Sequence, residues 1–339
     1  MSLLDIVIVN WNGGAQLRKC VESIFRFASP SVLGQIVIVD NASSDRSADE
    51  LDALEMPIVM IRNAWNRGFG AACNQGAAIC QSKYLLFLNP DTELQKESLS
   101  IPLTFMECRA NVDVGACGIQ LVNSAGEVTR SCARFPTGKI LVGQSTGLCR
   151  VLPQWFPNVH LSEWNHKESR DVDHVIGAFY VIRRQLFVAL KGFDERYFVY
   201  LEDLDLSKAV VDHGCRIVYL ATAQAFHEGG GTSRQVKARR LFYSRRSRIQ
   251  YAFKHLTIPP AIVVALSTLS VEPLVMLVYG LIRLSFRQIC ETFSGFAMLW
   301  WDIPSLLLSS WRVQKSEVLT KRGVAPSNVN SVGQIDNAA

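Results

Sequence analysis

"YLLFLNPDTEL", residues 84–94, is an apolar run that ends abruptly at Asn89, Pro90 and Asp91. Apolar runs without polar alternation are typical of strands that are covered on both faces of a parallel sheet. Three more runs of this kind lie upstream, at 5–9 (DIVIV), 36–39 (IVIV) and 58–61 (IVMI). The four runs therefore predict the central strands of one open sheet.

Helical patterns fill the gaps between some of these runs. A stripe of apolar residues recurs at helical spacing between Leu17 and Phe25, and the Ala-rich segment 70–79 has the same period. Strands that alternate with helices indicate an α/β fold with right-handed crossovers. The sequence thus predicts an open, mostly parallel sheet flanked by helices.

A polar segment follows each of the four predicted strands. These segments are NWNGG (10–14), DNASSD (40–45), RNAWNRGFG (62–70) and NPD (89–91). Ligands of open α/β sheets bind at the carboxyl ends of the strands. We therefore expect the four segments to form one binding edge.

The second half of the chain extends the same pattern less regularly. VGACGIQLV (114–122), HVIGAFYVI (174–182) and RIVYL (216–220) predict further strands of the sheet. EDLDLSKAVVDHG (202–214) predicts a helix that ends at a glycine. Residues 134–170 have no clear period and are predicted to be a long loop.

The hydrophobic surplus of the chain lies near its C-terminus. Of the 339 residues, 49% are hydrophobic, and residues 256–282 are interrupted by one charge, Glu272, and three prolines. This length admits a bilayer span. The prolines, Glu272 and a second apolar stretch at 293–308 favour instead helices that form a hairpin or lie in the membrane plane. Core helices are the alternative.

A basic segment precedes these apolar residues. No Asp or Glu occurs between Glu228 and Glu272, whereas eight cations do: Arg234, Lys237, Arg239, Arg240, Arg245, Arg246, Arg248 and Lys254. We call these eight residues the basic belt. The few aromatic residues within it argue against nucleic acid, and its place fits attraction to an anionic cytoplasmic leaflet. A solvated helix face is the alternative. The polar tail, 321–339, is predicted to be disordered.

Several classes of protein are excluded by missing motifs. The nine cysteines form no CxxC pair and no signal peptide precedes Asp5, so neither a zinc cluster nor a disulfide framework is expected, and the compartment is predicted to be reducing. Gly68 and Gly70 precede a predicted helix, but Cys73 stands where a dinucleotide-binding motif needs its third glycine. No GxxxxGK[ST] motif indicates a P-loop enzyme.

Four stretches together resemble the family 2 glycosyltransferases, which have the GT-A fold. These stretches are IVIVNWNGG (6–14), IVIVDNASSDRS (36–47), NRGFGAACNQG (66–76) and LLFLNPDTEL (85–94). Residues 177–233 resemble the acceptor-side half of the family, closest to its bacterial rhamnosyltransferase and galactofuranosyltransferase branch. The resemblance covers about residues 3–255 and implies a nucleotide-binding half at 1–110 and an acceptor-side half at 111–255. The apolar stretches that follow predict a membrane-associating helical segment at 256–320.

The resemblance implies a divalent cation, Mg²⁺ or Mn²⁺, held by Asp91. Sugar transfer from a nucleoside diphosphate releases a diphosphate, whose new charge such an ion neutralises. Asn89 stands where the family commonly has the first Asp of a pair, so it offers only a neutral oxygen. His227 lies near the place of a metal-binding histidine. The alternatives are a helix-capping role for Asp91 and a structural role for His227.

Within LEDLDL (201–206), the resemblance implies that Asp203 is the base that deprotonates the acceptor hydroxyl. Glu202 then orients the acceptor or the loop. Asp205 is expected only to place favourable charge in the first turn of a helix. His174 and His213 have no comparable motif context.

The remaining predicted site residues surround the donor. The resemblance implies that Asp40 accepts a hydrogen bond from a pyrimidine base, although a turn role is the alternative. The other predicted donor contacts are Asn10, Asn12, Asn66, Arg67, Gly68, Gly177 and Ala178. Trp155 or Trp164 either stacks on the acceptor or belongs to the core.

These features predict an inverting transferase whose donor is a dTDP- or UDP-sugar, with dTDP-L-rhamnose as first choice. Galactofuranose or another hexose from a UDP-sugar is the alternative donor. The expected acceptor is a lipid-linked or cell-envelope saccharide at the cytoplasmic face of the bacterial inner membrane. A membrane-anchored protein that binds sugar nucleotides without catalysis is the alternative from another class.

Overall fold

The four apolar runs of the first half form neighbouring strands in the computed structural model, which describes residues 2–52, 57–229 and 236–306. The strands are β1 (Leu4–Asn10), β2 (Leu33–Asp40), β3 (Ile58–Arg62), β4 (Tyr84–Leu88), β5 (Thr92–Leu94), β6 (Val114–Val122), β7 (Cys132–Ala133), β8 (Arg170–Asp171), β9 (His174–Val175), β10 (Phe179–Arg183) and β11 (Arg216–His227). The helices are α1 (Gly14–Phe27), α2 (Asp49–Asp52), α3 (Phe69–Ala77), α4 (Ser100–Glu107), α5 (Gly138–Thr146), α6 (Leu148–Val151), α7 (Arg184–Ala189), α8 (Glu202–Asp212), α9 (Lys237–His255), α10 (Ile258–Leu266), α11 (Glu272–Ile282) and α12 (Phe286–Trp301).

The sheet has the strand order β3-β2-β1-β4-β10-β6-β11-β5. β3, β2, β1 and β4 are mutually parallel, while β10 is inserted antiparallel between β4 and β6. Helices cover both faces, because alternate residues of β1 belong to different buried clusters: Ile6 and Ile8 to one, Val7 and Val9 to the other. The predicted α/β class is confirmed, and so is the continuation of the sheet into the second half.

The predicted long loop at 134–170 is wrong over α5 and α6. Thr137 caps α5, since its hydroxyl accepts a hydrogen bond from the backbone N–H of Ile140 at 3.4 Å. Ile140 and Leu141 are buried in a cluster that includes Ala261 and Val264 of α10. The partner helix lies more than a hundred residues away in the sequence, so no local periodicity reveals the packing.

The four C-terminal helices α9 to α12 form a group that we call the helical annex. α10 and α11 make one continuous rod joined by a π-helical turn at Ser267–Val271, and α12 folds back on α11. Pro259 and Pro260 lie in the first turn of α10, where a missing N–H costs little, and Pro273 lies two residues after the π-helical turn. The α11 and α12 helices form a hairpin, and its association with a membrane stays a prediction. Residues 307–320 of the predicted membrane segment and the tail at 321–339 lie outside the described residues.

The rod Ile258–Ile282 is 25 residues long with a mean hydropathy of 2.2, which by length and composition alone is enough to cross a bilayer. It is the single helix of this kind in the part of the chain that the structure describes. About two fifths of its apolar window is buried against the rest of the protein. The same measure is met by core helices of soluble proteins, so it does not by itself establish a span.

The basic belt is not a uniform solvated face. Arg246 pairs with Asp302 at 2.8 Å, and Lys254 lies 2.7 Å from both Asp194 and Asp205. Arg245 and Arg248 share Glu272 of α11. Three belt residues that remain exposed are Lys237, Arg239 and Arg240, all on α9. The acids that neutralise the others are distant in sequence, so the local charge pattern could not show them. Arg234 lies outside the described residues.

Gly76 lies where α3 packs on the sheet, and its replacement by alanine tests this packing. A Cβ at this position would lie 2.6 Å from Val7 Cγ1 and 3.1 Å from Val39 Cγ2. We expect Gly76→Ala to lower the free energy of unfolding by about 1–3 kcal/mol, because overpacking outweighs the helix preference for alanine. Urea unfolding measures the change. In a Val7→Ala background the same substitution should cost less, and equal costs in both backgrounds would contradict the packing.

Candidate active site

Two chambers meet at the carboxyl ends of β1 and β4. The small chamber, of ≈ 600 Å³, is lined by residues that include Trp11, Asn41, Asn66, Asp91 and His227. The large chamber, of ≈ 940 Å³, is lined by residues that include Gly177, Glu202 and Asp203 and extends to the helical annex. Phe69, Asn89, Val199, Tyr200 and Arg240 line both. Residues from all four polar segments therefore line the small chamber, which adjoins the large one.

Asn10 and Asp40 are paired at the ends of β1 and β2. The register of the two parallel strands sets these residues side by side, and the side-chain amide of Asn10 donates to Asp40 Oδ1 at 2.9 Å. Asp40 Oδ2 accepts the backbone N–H of Ser43 at 3.3 Å, and Asn12 Oδ1 accepts that of Ser44 at 2.7 Å. These bonds order the turn that follows β2. Asn10 and Asp40 are buried behind the lining of the small chamber.

Asn41 is a site residue that the sequence reasoning missed. Its side-chain oxygen accepts the backbone N–H of Arg67 at 2.9 Å, while its amide donates to Asn66 Oδ1 at 2.9 Å and to the carbonyl of Gly68 at 3.1 Å. Asn41 thus ties the segment after β2 to the segment after β3. The sequence feature that could have indicated Asn41 is its position directly after Asp40 in the polar segment 40–45. The Arg67 side chain itself is exposed.

Gly68 is required by a close backbone approach. Its φ is +89°, and a Cβ there would lie 2.5 Å from the carbonyl oxygen of Phe198. That carbonyl accepts the N–H of Phe69 at 2.7 Å, the first residue of α3. The contact joins the start of α3 to the segment before α8.

Asp91 and His227 converge on one wall of the small chamber. Asp91 lies in the turn directly before β5, and His227 ends β11, which pairs with β5. The His227 Nε2 atom lies 3.3 Å from Asp91 Oδ1. The Nε2 atom of His227 is buried and has no hydrogen-bond partner among the described residues. Asp91 precedes a strand, so the helix-cap alternative is wrong.

The donor set of this wall fits a divalent cation. A carboxylate oxygen and an orphaned imidazole nitrogen are both ligands of such ions. The described residues contain no cluster of three or more His, Cys, Asp or Glu side chains that could hold a metal. Asp91 and His227 could therefore hold an ion whose remaining positions are filled by oxygens from a ligand or from water.

Asp203 faces the large chamber and is held by main-chain donors. Its Oδ2 atom accepts the N–H of Gly177 at 2.8 Å, and its Oδ1 atom accepts the N–H of Leu204 at 2.8 Å. About a fifth of the side chain is exposed. A Cβ on Gly177 would lie 3.4 Å from Asp203 Oδ2, which is an ordinary van der Waals distance. Ala178 follows, and its carbonyl accepts the N–H of Asn89 at 3.1 Å.

Glu202 is a different kind of carboxyl group. It is 5% exposed, and its Oε2 atom has no hydrogen-bond partner among the described residues. Burial raises the pKa of Glu202 well above its ordinary value, and the neighbouring charge of Asp203 raises it further. Burial thus favours the neutral form of Glu202, whereas the carboxylate of the adjacent Asp203 accepts two N–H donors.

His174 is a second residue that the sequence reasoning missed. Its Nε2 atom lies 3.7 Å from Asp203 Oδ2, and its Nδ1 atom lies 2.9 Å from the hydroxyl of Ser207. Burial lowers the pKa of His174, so the ring is neutral. Because β9 pairs only with the short β7 in a separate small sheet, no strand pattern indicated that this residue would reach α8.

Strained backbone precedes the two acids. Tyr200 and Leu201 have φ values of +70° and +66°, which residues with a Cβ rarely adopt. The carbonyl of Leu201 accepts the N–H of Asp205 at 2.8 Å, and the hydroxyl of Ser247 on α9 donates to the carbonyl of Val199 at 2.9 Å. The annex thus helps to hold the conformation that aims Asp203 into the chamber.

Two expectations about individual residues need correction. Asp205 is more than a favourable first-turn charge: it is 4% exposed and is bonded to Lys254 Nζ at 2.7 Å and to His255 Nε2 at 2.6 Å, both on α9. Trp164 packs against the rings of His166 and Tyr219 and does not line either chamber. Trp155 is 66% exposed and is also absent from both linings.

Comparison with known proteins agrees with this geometry. The N-acetylglucosaminyl-diphospho-decaprenol L-rhamnosyltransferase of Mycobacterium tuberculosis is 24% identical over 241 residues, which are 66% of this chain and 76% of that protein. Rhamnosyltransferase WbbL of Escherichia coli is 24% identical over 54% of this chain and 69% of its own. Both are relatives at low identity.

A solved structure shares the fold. The mannosyltransferase PcManGT from Pyrobaculum calidifontis, in complex with GDP-Man and Mn²⁺, superposes with a TM-score of 0.50 at 14% identity, over 88% of this chain and 87% of its own. The fold is thus GT-A-like. The family model described as glycosyl transferase family 2 matches residues 5–190, just over half of the chain. The protein therefore belongs to glycosyl transferase family 2 and is a glycosyltransferase.

Proposed function

We propose that the protein is an inverting, metal-dependent transferase that moves L-rhamnose from dTDP-L-rhamnose to a saccharide of the cell envelope. The observation that carries this proposal is the carboxylate of Asp203, which two N–H donors hold at the wall of a chamber that adjoins the Asp91 and His227 pair. Base and proposed metal ligands thus border adjoining spaces that share Asn89.

The donor is proposed to lie in the small chamber. Its base would approach the turn ordered by Asp40 and Asn41, and its diphosphate would meet Asp91 and His227. A divalent ion, when bound, neutralises the negative charge that develops on the departing diphosphate. Asn89 contributes an amide, which can bond to a sugar hydroxyl without competing for charge. Gly177 and Ala178 line the large chamber.

The acceptor is proposed to enter the large chamber. Asp203 takes the proton of the attacking hydroxyl while the oxygen reaches the anomeric carbon from the side opposite the diphosphate. One displacement inverts the anomeric centre, so no nucleophile from the protein is required. Burial of Glu202 disfavours a second negative charge beside Asp203, and the N–H groups of Gly177 and Leu204 fix the orientation of the Asp203 carboxylate.

Rhamnose is preferred on the names of two relatives, which are an L-rhamnosyltransferase and a rhamnosyltransferase. The second candidate is transfer of another hexose, such as galactofuranose from a UDP-sugar. A hexosyltransferase of Haloferax volcanii is 23% identical over 60% of this chain, which favours keeping this candidate. Release of the nucleoside diphosphate from a panel of donors distinguishes the two, because a few pocket contacts decide between similar sugars.

We further propose that residues 1–255 form the catalytic domain and that residues 256–320 hold it at the cytoplasmic face of a bacterial membrane. Support comes from exposed apolar side chains on the annex, of which Leu281, Leu284 and Phe286 are 61%, 93% and 78% exposed. Such a surface binds the apolar region below the lipid headgroups. Lys237 and Arg239 add attraction to anionic lipids.

Asp203→Asn tests the base. The amide keeps the size of the side chain and can still accept a bond from Gly177, but it cannot take a proton. We expect the transfer rate to fall by about 10²–10⁴-fold, while donor affinity, measured by calorimetry, stays unchanged. Asp212→Asn, at the exposed end of the same helix, is the matched control. Full activity of Asp203→Asn would refute the assignment.

Asp91→Ala tests the proposed metal site. We expect the Mn²⁺ concentration for half-maximal binding to rise by more than about tenfold, because even outer-shell changes cost that much. Electron paramagnetic resonance of Mn²⁺ in the presence of UDP or dTDP measures this directly, and EDTA should abolish turnover. Glu93→Gln, two residues away, is the control. Turnover that persists undiminished in EDTA would contradict the site.

Glu202→Gln tests the neutral carboxyl. A carboxyl whose pKa rises on folding binds a proton in the folded state, so its contribution to stability is lost as the pH rises above its unfolded pKa. At about pH 8 the free energy of unfolding of the variant should therefore equal or exceed that of the wild type. The advantage of the variant over the wild type should become smaller as the pH is lowered to about 5. Urea unfolding across this range measures it. Exposed Glu97→Gln is the reference, and a difference independent of pH would count against a protonated Glu202.

A further inference from the structure

The large chamber continues from Asp203 into the helical annex. A third space of ≈ 500 Å³, which we call the annex pocket, lies between α9, α11 and α12. It shares walls with the large chamber at Arg240, Ser244, Arg245, Met276 and Gln288. None of these residues lies in the segment 5–190 that the family model matches. The annex pocket is therefore an extension of the catalytic space that is built by this chain's own C-terminal helices.

The walls around this extension carry an excess of positive charge. Six cations line the annex pocket or the annex side of the large chamber: Arg150, Lys237, Arg240, Arg245, Arg248 and Arg287. Two carboxylates, Glu272 and Glu291, face them. Cations that outnumber carboxylates in an enclosed space attract an anion more strongly than the same charges do on an open surface.

Arg245 shows that the internal acids do not satisfy these cations. It pairs with Glu272 at 2.6 Å, but Arg248 pairs with the other oxygen of the same carboxylate at 2.6 Å. The Nε atom of Arg245 is buried and has no hydrogen-bond partner among the described residues. Burial lowers the pKa of Arg245. A buried donor without an acceptor is costly, and an anionic ligand would supply one.

Arg240 stands at the junction of all three spaces. Its side chain lines the small chamber, the large chamber and the annex pocket. Within the described part of the chain, this side chain forms no hydrogen bond or ion pair. A guanidinium that is available in this way can bind two phosphate oxygens at once.

An apolar surface begins next to the cations. Val275, Met276 and Tyr279 of α11 line the large chamber, and Leu274 and Val278 of the same helix are 63% and 54% exposed. A ligand held at the cations thus has hydrocarbon-binding surface on one side and Asp203 on the other. The order of these three surfaces, which are Asp203, the cations and the apolar face of α11, fits an amphiphile that has a sugar, a charged linker and an apolar tail.

We propose that the annex pocket binds the phosphate or diphosphate linker of a lipid-linked acceptor, with the acceptor sugar at Asp203 and the hydrocarbon chain along α10 and α11. The proposal rests on the proposed glycosyltransferase function and adds the chemical class of the acceptor. The linker is distinct from the donor diphosphate, which belongs with Asp91 and His227 in the small chamber. Phospholipid headgroups are disfavoured because Arg245 and Arg248 are enclosed.

Binding of geranyl diphosphate tests the site without turnover. Calorimetry is carried out on the full chain with Mn²⁺ and excess UDP or dTDP, which occupy the small chamber. We expect saturable binding that the double variant Lys237→Gln, Arg240→Gln weakens by about tenfold or more, since bonds to charged groups are worth this much. Both side chains are exposed, so the fold should be retained. Arg283→Gln, directly after α11 and outside both linings, is the matched control and should bind as the wild type does.

Two further measurements separate the possible outcomes. Asp203→Asn should bind geranyl diphosphate normally although it cannot transfer sugar, so loss of the proposed catalytic role and loss of this site are distinguishable. With a lipid-diphosphate acceptor, the double variant should raise the acceptor KM by about tenfold relative to the wild type.

The proposal is overturned if geranyl diphosphate does not bind, or if it binds the double variant as tightly as the wild type. It is equally overturned if the double variant loses affinity for phosphatidylglycerol vesicles but keeps its affinity for geranyl diphosphate. That result would assign the cations to the bilayer surface.

Discussion

The hydrogen bond from the N–H of Gly177 to Asp203 Oδ2, 2.8 Å long, is the contact on which the arrangement of the site depends. It joins the first turn of α8 to the turn between β9 and β10, and β10 is the strand inserted between β4 and β6. This contact fixes the position of Asp203 relative to the sheet. The carbonyl of Ala178, which accepts the N–H of Asn89, extends the connection to the end of β4. A flexible carboxylate becomes a fixed one.

Asp203 and Glu202 are neighbours in sequence, but their carboxyl groups lie in different environments. Asp203 receives two N–H donors and keeps some exposure, whereas Glu202 is enclosed and one of its oxygens has no partner within the described residues. Hydrogen bonding stabilises a carboxylate, and desolvation destabilises it. Adjacent positions on one helix therefore place a carboxyl group in two different environments, one that disfavours the charged form of Glu202 and one that supplies N–H donors to Asp203. The strained backbone at Tyr200 and Leu201 is the cost of presenting them in this way.

The sequence was informative wherever the signal was local. Strand periodicity predicted β1 to β4, and the parallel arrangement then implied that Asn10, Asp40 and Asp91 would lie at one edge. Non-local packing was not predictable: α5 is ordered by α10, and half of the basic belt is neutralised by acids from other elements. His174 and Asn41 were missed because a single polar residue in a short segment has no period. Resemblance to a family, rather than pattern, indicated Asp203 and His227.

Asp205 links the chemistry to the helices that follow it. Asp205 lies on α8, two residues after Asp203. Its carboxylate is bonded to both Lys254 and His255 at the end of α9. Any tilt of the annex is therefore transmitted to the turn that carries the candidate base. In evolutionary terms, the C-terminal helices cannot be exchanged independently of the domain that carries Asp205. Recombination between related genes would yield a working enzyme only when positions 205, 254 and 255 are inherited together.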